Sequence, residues 1–283
     1  MTLLTVTREV ELDRPVMISA LGGWVDAASV ATDAAQRIAG DADVVAFFDA
    51  DELFDYRSSR PILDIVDGAM TEVTWPEITV RQAELGSKGV LVMLGTEPDL
   101  RWRAFSSSVV EFAQQHDVGL HVTLGAVPAA VPHTLPPPVL TTASREGLLG
   151  EKGPMPPTLR VPSAAISIVD RALAHAGVDT VGFFAQIPHY VNGPYHDAIA
   201  TLIGRLAGQL GVAVELDDLR ALAAEQRAQL DETVAARPDA KEYVARLEAA
   251  AVEDSVPSGD ELAEEFQRYF SQQDPGPNDP FEG

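Results

Sequence analysis

The sequence predicts an α/β protein: a mostly parallel sheet covered on both faces, followed by a helical appendage. Apolar runs of strand length carry the first half of this reading. VVAFF at 44–48, KGVLVMLG at 88–95 and DTVGFFAQ at 179–186 show no polar alternation, which is how strands buried on both faces read. Helix-length amphipathic stretches separate them, as in strand–helix–strand units. After Val214 the strand signal stops and only helical periodicity remains.

In chain order, residues 1–14 read as an opening edge strand and a turn, and Pro15–Leu21 as a second, apolar strand. Gly22-Gly23-Trp24 ends it, and Asp26 stands where it can cap an Ala-rich helix running to Ala39. Paired glycines before a helix N-terminus can cradle an anion, but neither GxGxxG nor GxxxxGK[ST] is present, and a plain tight turn is the stronger reading. Val44–Phe48 is expected to be a buried parallel strand, with both phenylalanines inside. Asp49, Asp51, Asp55, Arg57 and Arg60 follow within a dozen residues. The reading preferred for them is a self-satisfied Asp–Arg network pinning a loop; the other is a site.

Ile62–Val66, a turn at Asp67-Gly68 and two β-like segments around 71–74 and 77–81 suggest a strand-rich insertion or hairpin. After the strand at 88–95, Trp102, Phe105, Val109 and Phe112 recur at helical spacing and mark a buried helix face. Val118–Gly125 is a strand leading into the Pro-rich loop AVPAAVPHTLPPP, and 139–143 resumes strand character. Residues 145–160 read as a surface loop, Pro162 as the first turn of a helix to His175, and 195–210 as the last helix of the α/β part. Leu216 to Val234 and Tyr243 to Leu247 form two further helical faces, broken at Arg237-Pro238. Capping-box spacing at 258–261 opens another helix. The expected division is a core of 1–214, a helical appendage of 215–271 and a disordered acidic tail of 272–283.

Composition narrows the chemistry. The net charge is −23, which opposes nucleic acid and anionic membrane as partners. Residues 215–283 hold 18 Asp and Glu against 6 Lys and Arg, so about half of that charge lies there. The absence of cysteine excludes disulfides, thiolate metal sites and a cysteine nucleophile. No signal peptide opens the chain and no stretch is long and apolar enough to span a bilayer, so a cytoplasmic protein is expected. There is no HExxH, no GxSxG and no run of metal-ligating histidines. His116 and His121 read as structural, and His175 and His196 as lying near helix ends. Only His133 and His189 stand on strand-end loops, where a histidine serves either as a general base or, more commonly, as a hydrogen-bonding strut. The loops Gly22–Trp24, Asp49–Arg60, Gly125–His133 and Pro188–Tyr190 are expected to converge at the carboxyl ends of the strands.

The ordered set GGWVDAA, FFDADELFDYRSSRP, GTEPDLRWRAF, GAVPAAVPHT and QIPHYV resembles the proteasome assembly chaperone 2 family in its actinobacterial branch, over about residues 5–250. The resemblance implies a three-layer α/β fold like that of purine nucleoside phosphorylases. It also implies oligomers, trimers among bacterial members. Archaeal and eukaryotic relatives are chaperones that bind proteasome α-subunits. Two departures stand out. Archaeal members end in a hydrophobic–Tyr–any signature, whereas this chain ends Phe281-Glu282-Gly283, and Leu135 stands where an Arg is common in the family. With only Lys88, Lys152 and Lys241, the chain offers no evident phosphate lysine for ATP-grasp chemistry.

The expected function is that of a non-catalytic, protein-binding homo-oligomer. The alternative is an enzyme or small-molecule binder of nucleoside-phosphorylase-like architecture. The candidate binding set is Gly22, Gly23, Asp49, Asp51, Arg57, Arg60, His133, His189 and Tyr190, with no catalytic residue, metal or cofactor assigned.

Overall fold

A computed structural model describes residues 3–149 and 158–252. Its centre is one eight-stranded sheet. The strands are β1 (Leu4–Val6), β2 (Val16–Gly22), β3 (Val44–Phe48), β6 (Ile78–Leu85), β7 (Lys88–Thr96), β8 (Leu120–Ala129), β9 (Val139–Ala143) and β10 (Asp179–Pro188), in the spatial order β1-β3-β6-β7-β2-β8-β10-β9. β4 (Ile62–Val66) and β5 (Ala69–Thr74) form a separate hairpin.

The sheet is mixed rather than mostly parallel. β7, β2, β8 and β10 are mutually parallel, while β1, β6 and β9 run antiparallel to their neighbours. β3 keeps the direction of the central strands, but both of its partners oppose it, so the expected parallel pairing is absent. The cause is local. β6 returns directly into β7 through the tight turn at Gly86, and a tight turn can only join antiparallel strands.

Helices cover both faces. α1 (Val30–Ala39) and α5 (His196–Leu210) pack on one, α3 (Trp102–Gln115) and α4 (Ala165–His175) on the other. The unbroken apolar strands follow from this. In β7, Val90 and Val92 enter the first core while Leu91 and Met93 enter the second. Phe48 packs against Phe105 in a tilted pair with ring centroids 4.8 Å apart. Phe47 does not join it and is 41% exposed. It points to the opposite face, where α1 packs on β2, β7, β8 and β6, and among the described residues no helix packs closely on β3 there.

β8 continues past Gly125 to Ala129, where a loop was expected. Pro128 is tolerated because the ladder with β2 ends at Thr123 and the Ala126 N–H, bonded to the Val25 carbonyl at 2.7 Å, continues it, so Pro128 lies past the paired stretch on that side. Pro162 lies before the helix rather than in its first turn, and α4 starts only at Ala165. A four-residue helix, α2 (Ala50–Leu53), follows β3. Beyond α5, α6 (Asp217–Ala235) packs on α5 and α7 (Pro238–Val252) on α6. The capping box at 258–261 and the acidic tail lie outside the described residues. No described helix is long and apolar enough to cross a membrane.

The chain leaving β2 crosses by α1 to β3 on one side. The chain leaving β8 goes by β9 and α4 to β10 on the other side and the opposite face. The connections therefore reverse between β2 and β8, and open α/β sheets place ligands at the carboxyl ends of such a pair.

Candidate functional site

The loop after β2 is shaped by two carboxylates. Gly23 has φ +155, and a Cβ there would lie 2.7 Å from a Glu97 oxygen. The room it leaves lets Glu97 accept the Trp24 N–H at 3.1 Å and, through its other oxygen, the Ala165 N–H at 2.6 Å, at the first residue of α4. Asp26 does the same for α1, accepting the N–H groups of Ala31 at 2.7 Å and Thr32 at 3.2 Å and the Thr32 hydroxyl. Burial pushes the Asp26 carboxyl up from its ordinary value, against those hydrogen bonds. Both helix N-termini that an anion would use are thus filled by the chain's own carboxylates. An open acidic groove of about 550 Å³ runs past Gly22, Gly23, Asp26 and Asp33.

The acidic loop after β3 is not the expected network. Asp49 caps α2 by accepting the Asp51 N–H at 3.1 Å. Asp51 accepts the Tyr56 hydroxyl at 2.6 Å, which pushes the phenol up to about 12. Arg57 donates its backbone N–H to Asp55 at 3.0 Å. Among the described residues, no ion pair joins Asp49, Asp51, Arg57 or Arg60 to anything, and all four are exposed. α2 is the reason: it turns Leu53 and Phe54 into the core and leaves the charged side chains outside. The loop is pinned instead by Glu52–Arg101 and by Asp99 accepting the Asp55 N–H at 3.0 Å.

The third group is tied together tightly. The Tyr190 hydroxyl accepts the His133 backbone N–H at 2.8 Å and lies 2.8 Å from His133 Nδ1. Having accepted the amide, the phenol gives its own proton to Nδ1, so His133 carries hydrogen on Nε2, 3.2 Å from Asp231 of α6. His189 Nδ1 faces the Ala129 carbonyl at 3.3 Å, and Nε2 faces the Tyr243 hydroxyl of α7 at 3.3 Å. Thr134 donates to Glu248 of α7, and Arg227 of α6 donates to the Thr134 carbonyl. Burial pushes the Tyr190 phenol up to about 12, so it stays protonated at neutral pH. α6 and α7 are therefore latched onto the loops that end β8 and β10.

The four loops share one edge of the sheet but do not form one cleft. Four strand spacings separate β3 from β8, about 19 Å at 4.8 Å each. His133, His189 and Tyr190 come together, Gly22 and Gly23 lie between, and Asp49, Asp51, Arg57 and Arg60 stand apart. Sequence reasoning missed Glu97, Asp231, Tyr243 and Glu248. Glu97 was visible as an acidic residue at a strand end; the other three carry only ordinary helical periodicity.

One further constellation lies inside the core. Ser19 Oγ is 2.8 Å from His121 Nε2, and His121 Nδ1 is 2.9 Å from Asp170, which also accepts the Thr123 hydroxyl at 2.8 Å. The order serine–imidazole–carboxylate is that of a hydrolase relay. Ser19 and His121 have no exposed surface, so no substrate reaches them, and the network ties α4 to β2 and β8. No group of described residues has the make-up of a metal site.

The comparisons with known proteins agree with this architecture. A proteasome-assembly chaperone homologue from Mycobacterium tuberculosis is 31% identical over 81% of this chain and 99% of its own, with a TM-score of 0.75. A second M. tuberculosis protein, of unknown function, is 28% identical over 95% and 96%, with a TM-score of 0.83. An archaeal proteasome activator from Pyrococcus furiosus shares the fold at 14% identity, over 82% and 99%, with a TM-score of 0.66. No curated protein matches the chain. Residues 20–234 match the PAC2 family, and the chain belongs to that family.

Proposed function

We propose that this protein is a non-catalytic homo-oligomer that binds other proteins, in the cytoplasm, as chaperones of proteasome assembly do. The observation that carries the reading is the β4–β5 hairpin. Every residue of both strands is exposed, and many are apolar: Ile62 is 65% exposed, Ile65 61%, Val66 58% and Met70 77%. A lone two-stranded hairpin is marginal in water, and side chains of this kind on both of its faces call for a covering surface. The Tyr56–Trp75 edge-to-face pair, 5.0 Å between centroids, anchors the hairpin base to the loop after β3 and so presents it outward. A trimer is the assembly that the family resemblance favours. Relatives described as a proteasome-assembly chaperone homologue and a proteasome activator support protein binding as the class of activity, without naming the partner here.

The alternative, an enzyme or small-ligand binder of nucleoside-phosphorylase-like architecture, is less well supported. A phosphorylase needs an anion pocket. Asp26 and Glu97 occupy the helix N-termini, and Arg57 and Arg60 are exposed at a distance from them. Multi-angle light scattering at micromolar concentration tests the proposal. A mass of several chains is expected. Ile65→Asp with Met70→Asp, a directly paired couple in the hairpin, is expected to reduce it to 30.2 kDa. A wild-type mass of one chain overturns the oligomer.

A further inference from the structure

We propose that the crevice at the carboxyl ends of β2 and β8 binds a small uncharged molecule with an apolar body and one carbonyl-type hydrogen-bond acceptor. Two independent observations meet there. The first is topological: the chain connections reverse between β2 and β8, where open α/β sheets bind ligands. The second is a cavity of about 140 Å³, walled by Trp24 and Val25 after β2, Val127 of β8, Leu140 of β9, Phe184 of β10 and Val161. This inference is separate from protein binding by the hairpin, which lies at the other end of the sheet.

The cavity's wall is preformed. The Phe184 ring lies across two strands, over Gly125 and Gly182. A Cβ on Gly125 would come within 2.2 Å of the ring, and one on Gly182 within 2.7 Å. Only glycine at both positions lets the ring lie against the sheet. A rigid apolar cavity of about 150 Å³ accepts a molecule of benzene size, and the volume here is close to that.

The wall also limits the ligand's chemistry. None of the described residues lining the cavity is ionisable, so a charged ligand would be desolvated without a partner. Two hydroxyl residues, Thr142 and Ser167, are part of the lining, and the amide of Gln186 stands behind it rather than in it. Gln186 lies on the same face of β10 as Phe184, two residues on, and pairs in register with Val127 of the wall. It is 3% exposed, and its Nε2 has no hydrogen-bond partner among the described residues. A buried amide donor without an acceptor is costly, and an acceptor on the ligand would relieve it.

The test is a ligand-observed NMR titration of the full chain with cyclohexanone and, as the near-isosteric hydrocarbon, methylcyclohexane. Saturable binding of one cyclohexanone per chain is expected, about three- to tenfold tighter than the hydrocarbon, the worth of one hydrogen bond. Gln186→Leu should equalise the two probes. Ala164→Phe should abolish binding of both. Ala164 is buried, so Val161→Trp at the exposed rim provides a second blocking variant. Absence of saturable binding, or binding unchanged in a folded blocking variant, overturns the site. Equal affinity for the two probes in the wild type overturns the role of Gln186 and the acceptor class.

Discussion

The Tyr190 hydroxyl holds His133 at two points, its backbone N–H and its ring Nδ1, each at 2.8 Å. Through this pair the loop after β8 is locked to the end of β10, and His133 is aimed at Asp231 of α6. Tyr190→Phe keeps the ring packing against His189 and Tyr243 but orphans a buried N–H. A loss of about 1–3 kcal/mol is expected in urea melts. Hydrogen exchange should show faster opening of α6 and α7 with little change in β7. Uniform loosening of the sheet would contradict the latch.

Asp26 links stability to pH. Burial raises its carboxyl in the folded chain above the ordinary value of 3.8. The folded state therefore holds this proton more tightly than the unfolded state. Stability falls as pH rises from the unfolded value through the folded one, and the ionised group carries that penalty at neutral pH. Asp26→Asn retains an acceptor for the Ala31 and Thr32 amides and removes the titration. The difference between wild type and variant should shift in favour of the variant from pH 4 to pH 7. A difference that stays flat would refute the linkage.

Asp49, Asp51, Arg57 and Arg60 make no ion pairs among the described residues, so removing the charge of Arg57 or Asp49 should matter little. Arg57→Ala and Asp49→Ser are each expected to stay within about 0.5 kcal/mol of wild type by thermal melt. A loss several times larger in the Arg57 variant would restore a structural network at this loop.

His121 is the opposite case. His121→Ala opens a cavity and leaves Ser19 and Asp170 without their shared partner, so a loss of about 2–4 kcal/mol is expected. A fluorophosphonate probe should leave Ser19 unmodified in the folded protein, because the serine has no exposed surface. Labelling at Ser19 under native conditions would show that the core opens and would bring hydrolysis into question.

The sequence by itself determined most of the secondary structure. Uninterrupted apolar runs placed β2, β3, β7 and β10, Asp67-Gly68 placed the hairpin turn, and Arg237-Pro238 placed the break between α6 and α7. These are properties of near neighbours in the chain, and backbone geometry reads them at a period of two or 3.6 residues. Only the tertiary structure decided the rest. Whether Phe47 is covered depends on how far α1 extends over the sheet. Whether β3 is flanked by parallel or antiparallel strands depends on β6 returning through Gly86. His133 meets Asp231 across 98 residues and Glu97 meets Ala165 across 68. Such pairings carry no periodic signature, because a side chain's partner is set by which distant segments the packed core brings within hydrogen-bond reach.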